Sequence, residues 1–353
     1  MMRLFTALCL LLLTGCNLLN DEMDPESEPL FAPGEYGGDP LPGTEEFQNV
    51  RISPDGERVA FVRRRTPGEG FSPRNQLWVV NRDGSKPELI GLGLGTVDWS
   101  PDGKQLAVTL RQGIESFAAT INLETKEAYQ WTGLEHQRLS GYTTTGPVWF
   151  QDGNRLLAAV SGQAYKQPYP RGVYVIDTET GETTGPLLEM FEATTLSSHD
   201  SVIVGLKYIP EGEHDELEGN TARHEIEAGT WEWITSFTGD TLRRYNTQTP
   251  RAISANNLAV QARRVDNAWQ IFLMNNNGTN TRQLTEVGGD NPSWTYGGRQ
   301  IIFRRDVHKG EGARYVPFAL EIETGEESPL WPALPDSFPE LPPLETQDPI
   351  LIP

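Results

Sequence analysis

Three sets of residues in this sequence have side chains suited to binding or chemistry. The largest is basic: 14 of the 29 Lys and Arg residues, Arg63, Arg64, Arg65, Arg74, Arg111, Lys166, Arg171, Lys207, Arg263, Arg264, Arg304, Arg305, Lys309 and Arg314, stand at or just beyond the ends of apolar segments. Gathered on one surface, they would suit an anionic ligand, a peptide C-terminus or an acidic partner. Read otherwise, they are solvent-facing strand ends paired with neighbours such as Asp266, Asp306 and Glu311. The second set lies in Ile209 to Gly229, where His214, Asp215, Glu216, Glu218, His224, Glu225 and Glu227 offer mixed nitrogen and oxygen donors. Its two histidines are ten apart and fit no recognised ligand spacing, so no metal and no cofactor is assigned. The third set is two cysteines, Cys9 and Cys16. The five histidines are scattered, no Ser–His–acid set stands out, and no catalytic residue is assigned.

Around these residues the composition sets limits. The 353 residues carry 49 Asp and Glu against 29 Lys and Arg, for a net charge of -20. Such a balance argues against nucleic acid, whose phosphates need an excess of cations. With 35 Gly and 26 Pro, a helical bundle is disfavoured.

The N-terminus sets the compartment. Arg3 precedes the mostly apolar run Leu4 to Leu13, too short to span a hydrocarbon core of about 30 Å as a helix. Leu13-Thr14-Gly15-Cys16 then resembles the lipobox of bacterial lipoproteins. The resemblance implies cleavage after residue 15, lipid on Cys16 and, with Asn17 following, an outer-membrane lipoprotein facing the periplasm or the cell surface. An ordinary secretory signal with a chance cysteine is the other reading of these residues. Residues 16–46 are acidic, rich in Pro and Gly and poor in bulky apolar side chains, which reads as a flexible tether.

From 47 to 331 the chain repeats. Arg51-Ile-Ser-Pro-Asp-Gly56, Asp98-Trp-Ser-Pro-Asp-Gly103 and Val148-Trp-Phe-Gln-Asp-Gly153 each run into an apolar segment. Weaker copies begin at Leu196, Ile253 and Trp294. Anchored on Asp55, Asp102, Asp152, His199, Asn256 and Gly297, the spacings are 47, 50, 47, 57 and 41. The residue after each anchor, Gly56, Gly103, Gly153, Asp200, Asn257 or Gly298, is of a type that tolerates positive φ. Each unit also offers a hairpin, expected at Asn81–Gly84, Leu123–Lys126, Thr178–Gly181, Thr238–Asp240, Asn275–Gly278 and Glu323–Gly325. Four strands per unit of this length predict an all-β chain, a six-bladed β-propeller of four-stranded antiparallel blades. The tail, 332–353, is too rich in proline to form a further blade.

The Ser-Pro-Asp-Gly turn followed by an apolar strand and a hairpin resembles the WD40-like repeat of the TolB-type propellers. It is also similar to the propeller repeats of prolyl oligopeptidase-like enzymes. The resemblance implies a fold more than a function, and no Gly-x-Ser-x-Gly nucleophile elbow accompanies it. In a blade of this type the loops between second and third strands share a face with the inter-blade loops, so the arginines are expected around one end of the central channel. Arg63, Arg65, Arg111, Tyr165, Arg171, Arg264, Arg304 and Arg305 are the candidate binding residues. The expected function is a membrane-anchored, non-catalytic scaffold for an envelope protein partner. A propeller enzyme, or a sensor of a glycan or small anion using the channel, is the alternative.

Overall fold

The computed structural model describes residues 45–65, 74–112, 115–131, 142–143, 146–161, 172–189, 191–196, 200–209, 218–234, 248–253, 258–265, 268–275, 277–306 and 315–331. The expected signal, almost all of the tether and the tail lie outside these residues, as do Cys16, Tyr165 and Arg171.

All 25 described elements are strands. The first repeat holds β1 (Glu45–Ile52), β2 (Arg58–Arg65), β3 (Arg74–Asn81) and β4 (Glu88–Leu92); the second holds β5 (Leu94–Trp99), β6 (Gln105–Gln112), β7 (Glu115–Asn122) and β8 (Ala128–Gln130). In the third, β9 (Tyr142–Thr143) and β10 (Val148–Trp149) both pair with β11 (Arg155–Ser161), which leads to β12 (Gly172–Asp177) and β13 (Thr183–Glu189). The fourth comprises β14 (Phe191–Leu196), β15 (Val202–Ile209), β16 (Glu218–Glu225) and β17 (Thr230–Trp233). The fifth comprises β18 (Gln248–Ile253), β19 (Leu258–Val265), β20 (Ala268–Asn275) and β21 (Arg282–Gln283). The sixth comprises β22 (Asp290–Trp294), β23 (Gln300–Asp306), β24 (Tyr315–Glu321) and β25 (Glu327–Pro329).

Each repeat is an antiparallel meander, and the first strands of successive repeats contact one another around an axis, with β22 returning to β1. Hydrogen bonding nevertheless divides the described strands into five sheets rather than six. The first and last repeats share an eight-stranded sheet, joined by one parallel pairing of Glu46 with Tyr315.

The turn sequence explains the meander. Ser53 Oγ donates to Asp55 Oδ1 at 2.5 Å, the same carboxylate accepts the Glu57 N–H at 3.0 Å, and Gly56 turns the chain at φ 81°. Ser100, Asp102 and Gly103 repeat this geometry at 2.6 Å and 71°. Those hydrogen bonds, from Ser53 first and then the Glu57 N–H, hold the Asp55 carboxyl below its ordinary range. In the third repeat Phe150 replaces the serine, and Gly153 N–H still reaches Phe150 O at 3.1 Å. Asp200 adopts φ 55°, as the repeat column required.

The fourth repeat departs from expectation. Within Ile209 to Gly229, residues 218–225 form β16, in register with β15 from Val202↔Glu225 to Ile209↔Glu218. Its hairpin turns at Gly229, φ 64°, rather than at Thr238–Asp240, which lies outside the described residues. The strand is polar and lacks an apolar run. Its alternation is visible only in burial, with Ala222 and His224 inside and Arg223 and Glu225 half-buried.

The ring closes through side chains. Trp331, 1% exposed, packs edge-on against Phe47 and Phe61 with ring centroids 6.3 and 5.5 Å away. Leu330, Ile302 and Ala319 of the last repeat share this core with Val50, Ile52 and Trp78 of the first. Ser293 Oγ donates to Val50 O at 2.9 Å and Arg82 to Gln300 Oε1 at 3.0 Å across the same seam.

Candidate functional site

The first strands ring the channel, so the side chains that matter there come from one repeat column. Four residues before each anchor stand Arg51, Asp98, Val148, Thr195, Ala252 and Ser293. Two neighbours in this column are charged and the rest are not. Asp98 Oδ2 accepts the Trp149 N–H at 2.9 Å, from the next first strand around the ring. Arg51 donates to Val50 O at 3.0 Å, and its own carbonyl accepts the Trp99 indole N–H at 3.0 Å.

Both charged groups are half-buried. Burial pushes the Asp98 carboxyl up to about 6 against the opposing pull of the Trp149 N–H and the Arg51 charge. Burial likewise lowers the Arg51 guanidinium, which Asp98 partly restores. Among the described residues no direct ion pair joins the two.

At the end of the ring bearing the Asp-Gly turns, one contact among the described residues joins the third and sixth repeats. Tyr296, on the turn after β22, donates from its hydroxyl to Gln151 Oε1 at 2.5 Å, on the turn after β10. The third and sixth repeats stand opposite in the ring, so this bond spans the axis. Gln151 N–H in turn donates to Asp200 Oδ2 at 2.8 Å. Burial raises the Tyr296 phenol above its ordinary value; the bond to Gln151 opposes this, and the nearby Asp98 and Asp200 charges reinforce it.

The basic residues read from sequence that are described lie at the opposite end; Lys166, Arg171, Lys309 and Arg314 lie outside the described residues. The second strands all run the same way, and β2, β6, β15, β19 and β23 carry Arg63–Arg65, Arg111, Lys207, Arg263–Arg264 and Arg304–Arg305 within their last three residues. Arg63 is half-buried opposite Phe47 and Gln76, while Arg65, Arg111 and Arg264 are placed here by backbone register alone. Arg304 and Arg305 are committed internally. Arg304 forms a bidentate pair with the buried Asp290, and its guanidinium lies 4.5 Å from the Tyr315 ring centre. Arg305 pairs with Glu327 at 2.7 Å, donates to Gly288 O at 2.9 Å and rests on Phe303 and Phe318. Glu327 thus serves Arg305.

At the turn end some cations pair within the chain, while Lys86, Lys104 and Arg299 are exposed. Arg58 donates to Gly103 O at 2.6 Å, Arg155 pairs with Asp152 at 2.5 Å and Lys126 pairs with Glu88. Exposed there are Asp83, Glu124, Glu179, Glu182, Glu323 and Glu326. His224, one of the donors considered for a metal, is 3% exposed within β16. Among the described residues no three His, Cys, Asp or Glu side chains gather as metal ligands do.

This geometry has counterparts among solved structures. TolB from Acinetobacter baumannii superposes with a TM-score of 0.54 at 16% identity, covering 81% of this chain and 62% of that one. The chain has the TolB-type propeller fold. The tricorn protease matches at TM-score 0.57 and 15% identity, over 83% of this chain and 26% of that one. The β-propeller domain of the Trilobed protease from Pyrococcus furiosus, described as having an open velcro topology, matches at 0.51 and 16%, over 82% and 84% of the two chains. No protein-family model and no curated protein matches the sequence.

Proposed function

We propose that this chain is a lipid-tethered protein of the cell envelope whose propeller docks a protein partner through its basic end and performs no catalysis. The observation that carries the reading is positional. Five of the six second strands carry Lys or Arg within their last three residues at the same end of the ring, those of the sixth repeat being paired internally, while the turn end exposes more acids than cations. A partner with an acidic surface complements the first end and is repelled by the second.

Capture from envelope extracts tests this. An Arg65→Glu, Arg264→Glu protein is expected to lose the partners that the unmodified protein retains, at equal melting temperature. Retention of the same partners would sink the basic-end reading. The tether is proposed on Leu13-Thr14-Gly15-Cys16, and no helix among the described residues is long and apolar enough to cross a membrane. Cys16→Ser is expected to move the protein from the membrane to the soluble fraction and to abolish labelling by a fatty-acid analogue; unchanged fractionation would remove the anchor.

A further inference from the structure

The first residues of β1 enter the ring at its basic end. Glu45 and Glu46 are the cross-strand partners of Arg65 and Arg64, the last residues of β2, and Glu46 also pairs in parallel with Tyr315, the first residue of β24. The chain that precedes β1 is therefore joined to the ring at this end, at the seam between the first and sixth repeats. That chain is of one sign. Residues 17–46 hold nine Asp or Glu and no Lys or Arg. The strand ends around the junction have the opposite sign: the last three residues of β2, β6, β15 and β19 hold seven Lys or Arg and no acid. With Arg74 they outnumber Glu115, Glu189, Glu192 and Glu218, which stand at the same ends of β7, β13, β14 and β16.

We infer that residues 17–44 occupy the basic end in the partner-free protein, so that an acidic partner must displace the chain's own acidic segment. The inference rests on the reading of the basic end as a docking surface and adds its regulation. Register, connection and reach single out the occupant. Glu45 and Glu46, set opposite Arg65 and Arg64, already begin an alignment of acids with arginines. Covalent attachment at the seam gives the preceding residues an effective concentration at the basic end on the order of millimolar. Fully extended, residues 17–44 reach about 90–100 Å, against a radius of gyration of about 19 Å for a domain of this size, so they can cross the whole end. Exposed ion pairs are individually weak and screened by salt, so the occupied state is held by many small attractions and is lost as ionic strength rises. While it persists, it lowers the apparent affinity of any competing acidic ligand by the occupied fraction.

Binding of a fluorescein-labelled decaglutamate peptide to the whole protein, held in uncharged detergent at low salt, tests this. The combined variant Asp24→Asn, Glu26→Gln, Glu28→Gln, Glu35→Gln, Asp39→Asn is expected to bind the peptide at least about fivefold more tightly than the unmodified protein. Adding Arg65→Glu and Arg264→Glu to that variant is expected to abolish the gain; a gain that survived them would place the peptide elsewhere and overturn the inference. The variant Glu124→Gln, Glu179→Gln, Glu182→Gln, Glu323→Gln, Glu326→Gln removes the same charge from the turn end and is expected to leave affinity within about twofold. Equal gains from the two charge-neutralised proteins would reduce the effect to net charge and overturn the inference. A gain confined to Asp336→Asn, Glu340→Gln, Glu345→Gln, Asp348→Asn would make the C-terminal tail the occupant and overturn it as well. Peptide binding that is measurable but unchanged in every variant of the acidic segments would overturn it while leaving the basic end a docking surface. Peptide binding to none of the proteins would overturn both readings. Melting temperatures establish that each variant is folded.

Discussion

Asp98 accepts the Trp149 N–H and feels the Arg51 charge, yet burial still outweighs both and brings its carboxyl to about 6. The consequence for stability has a definite sign. An ordinary aspartate titrates near 3.8, so between that value and about 6 the folded protein holds the proton more firmly than the unfolded chain does. The stabilisation from this proton is complete below pH 4 and is lost as pH rises through 6. The stabilisation lost across that range is on the order of 3 kcal/mol. Asp98→Asn, whose amide oxygen can still accept the Trp149 N–H, is expected to remove this dependence and to raise the denaturant midpoint at pH 8 relative to the unmodified protein. Chemical denaturation at pH 5 and pH 8 checks it, and an unchanged slope with pH would show that another group is responsible. Neither Asp98 nor Arg51 stood out in the sequence, since single charges in a strand are common; only the alignment of repeats places them in adjacent positions of one column. The Tyr296–Gln151 bond was less legible still, because it joins residues 145 apart through the curvature of the whole ring.

At the scale of the elements, what could be read from sequence was what local chemistry determines. Ser-Pro-Asp-Gly specifies a turn through its own side-chain hydrogen bonds, so the first two turns and the glycines at positive φ were legible. The strand β16 was not, because its outward positions are Arg and Glu and its inward ones a small Ala and a His. Ring closure was also hidden. Trp331 is the last residue of the repeat region, and its role appears only when Phe47 and Phe61 arrive from the other end of the chain. Trp331→Ala is expected to cost about 3–5 kcal/mol, as for other fully buried tryptophans, and to lower the melting temperature. If the seam is the weakest joint of the ring, limited proteolysis of this variant should cut the first and last repeats before the third. Cleavage beginning elsewhere would argue that closure depends on contacts other than Trp331.

At the scale of the molecule, the net charge of -20 conceals a polarity that the strand directions create. Arginines read as one cluster divide on inspection. Arg304 and Arg305 brace the last repeat against Asp290, Glu327 and two aromatic rings, and so contribute structure rather than contact surface. The strand ends of β2, β6 and β19 remain the candidates for docking. A partner held there by charge should dissociate as salt rises, because exposed charges are screened beyond about 8–10 Å at physiological ionic strength. The most direct measurement places a photo-crosslinking amino acid in living cells at Arg111, at the basic end, and in a second protein at Glu124, at the acidic turn end. The reading of the propeller as a scaffold requires a discrete protein adduct from position 111 and none from position 124. Adducts from position 124 alone, or from neither position, would contradict it.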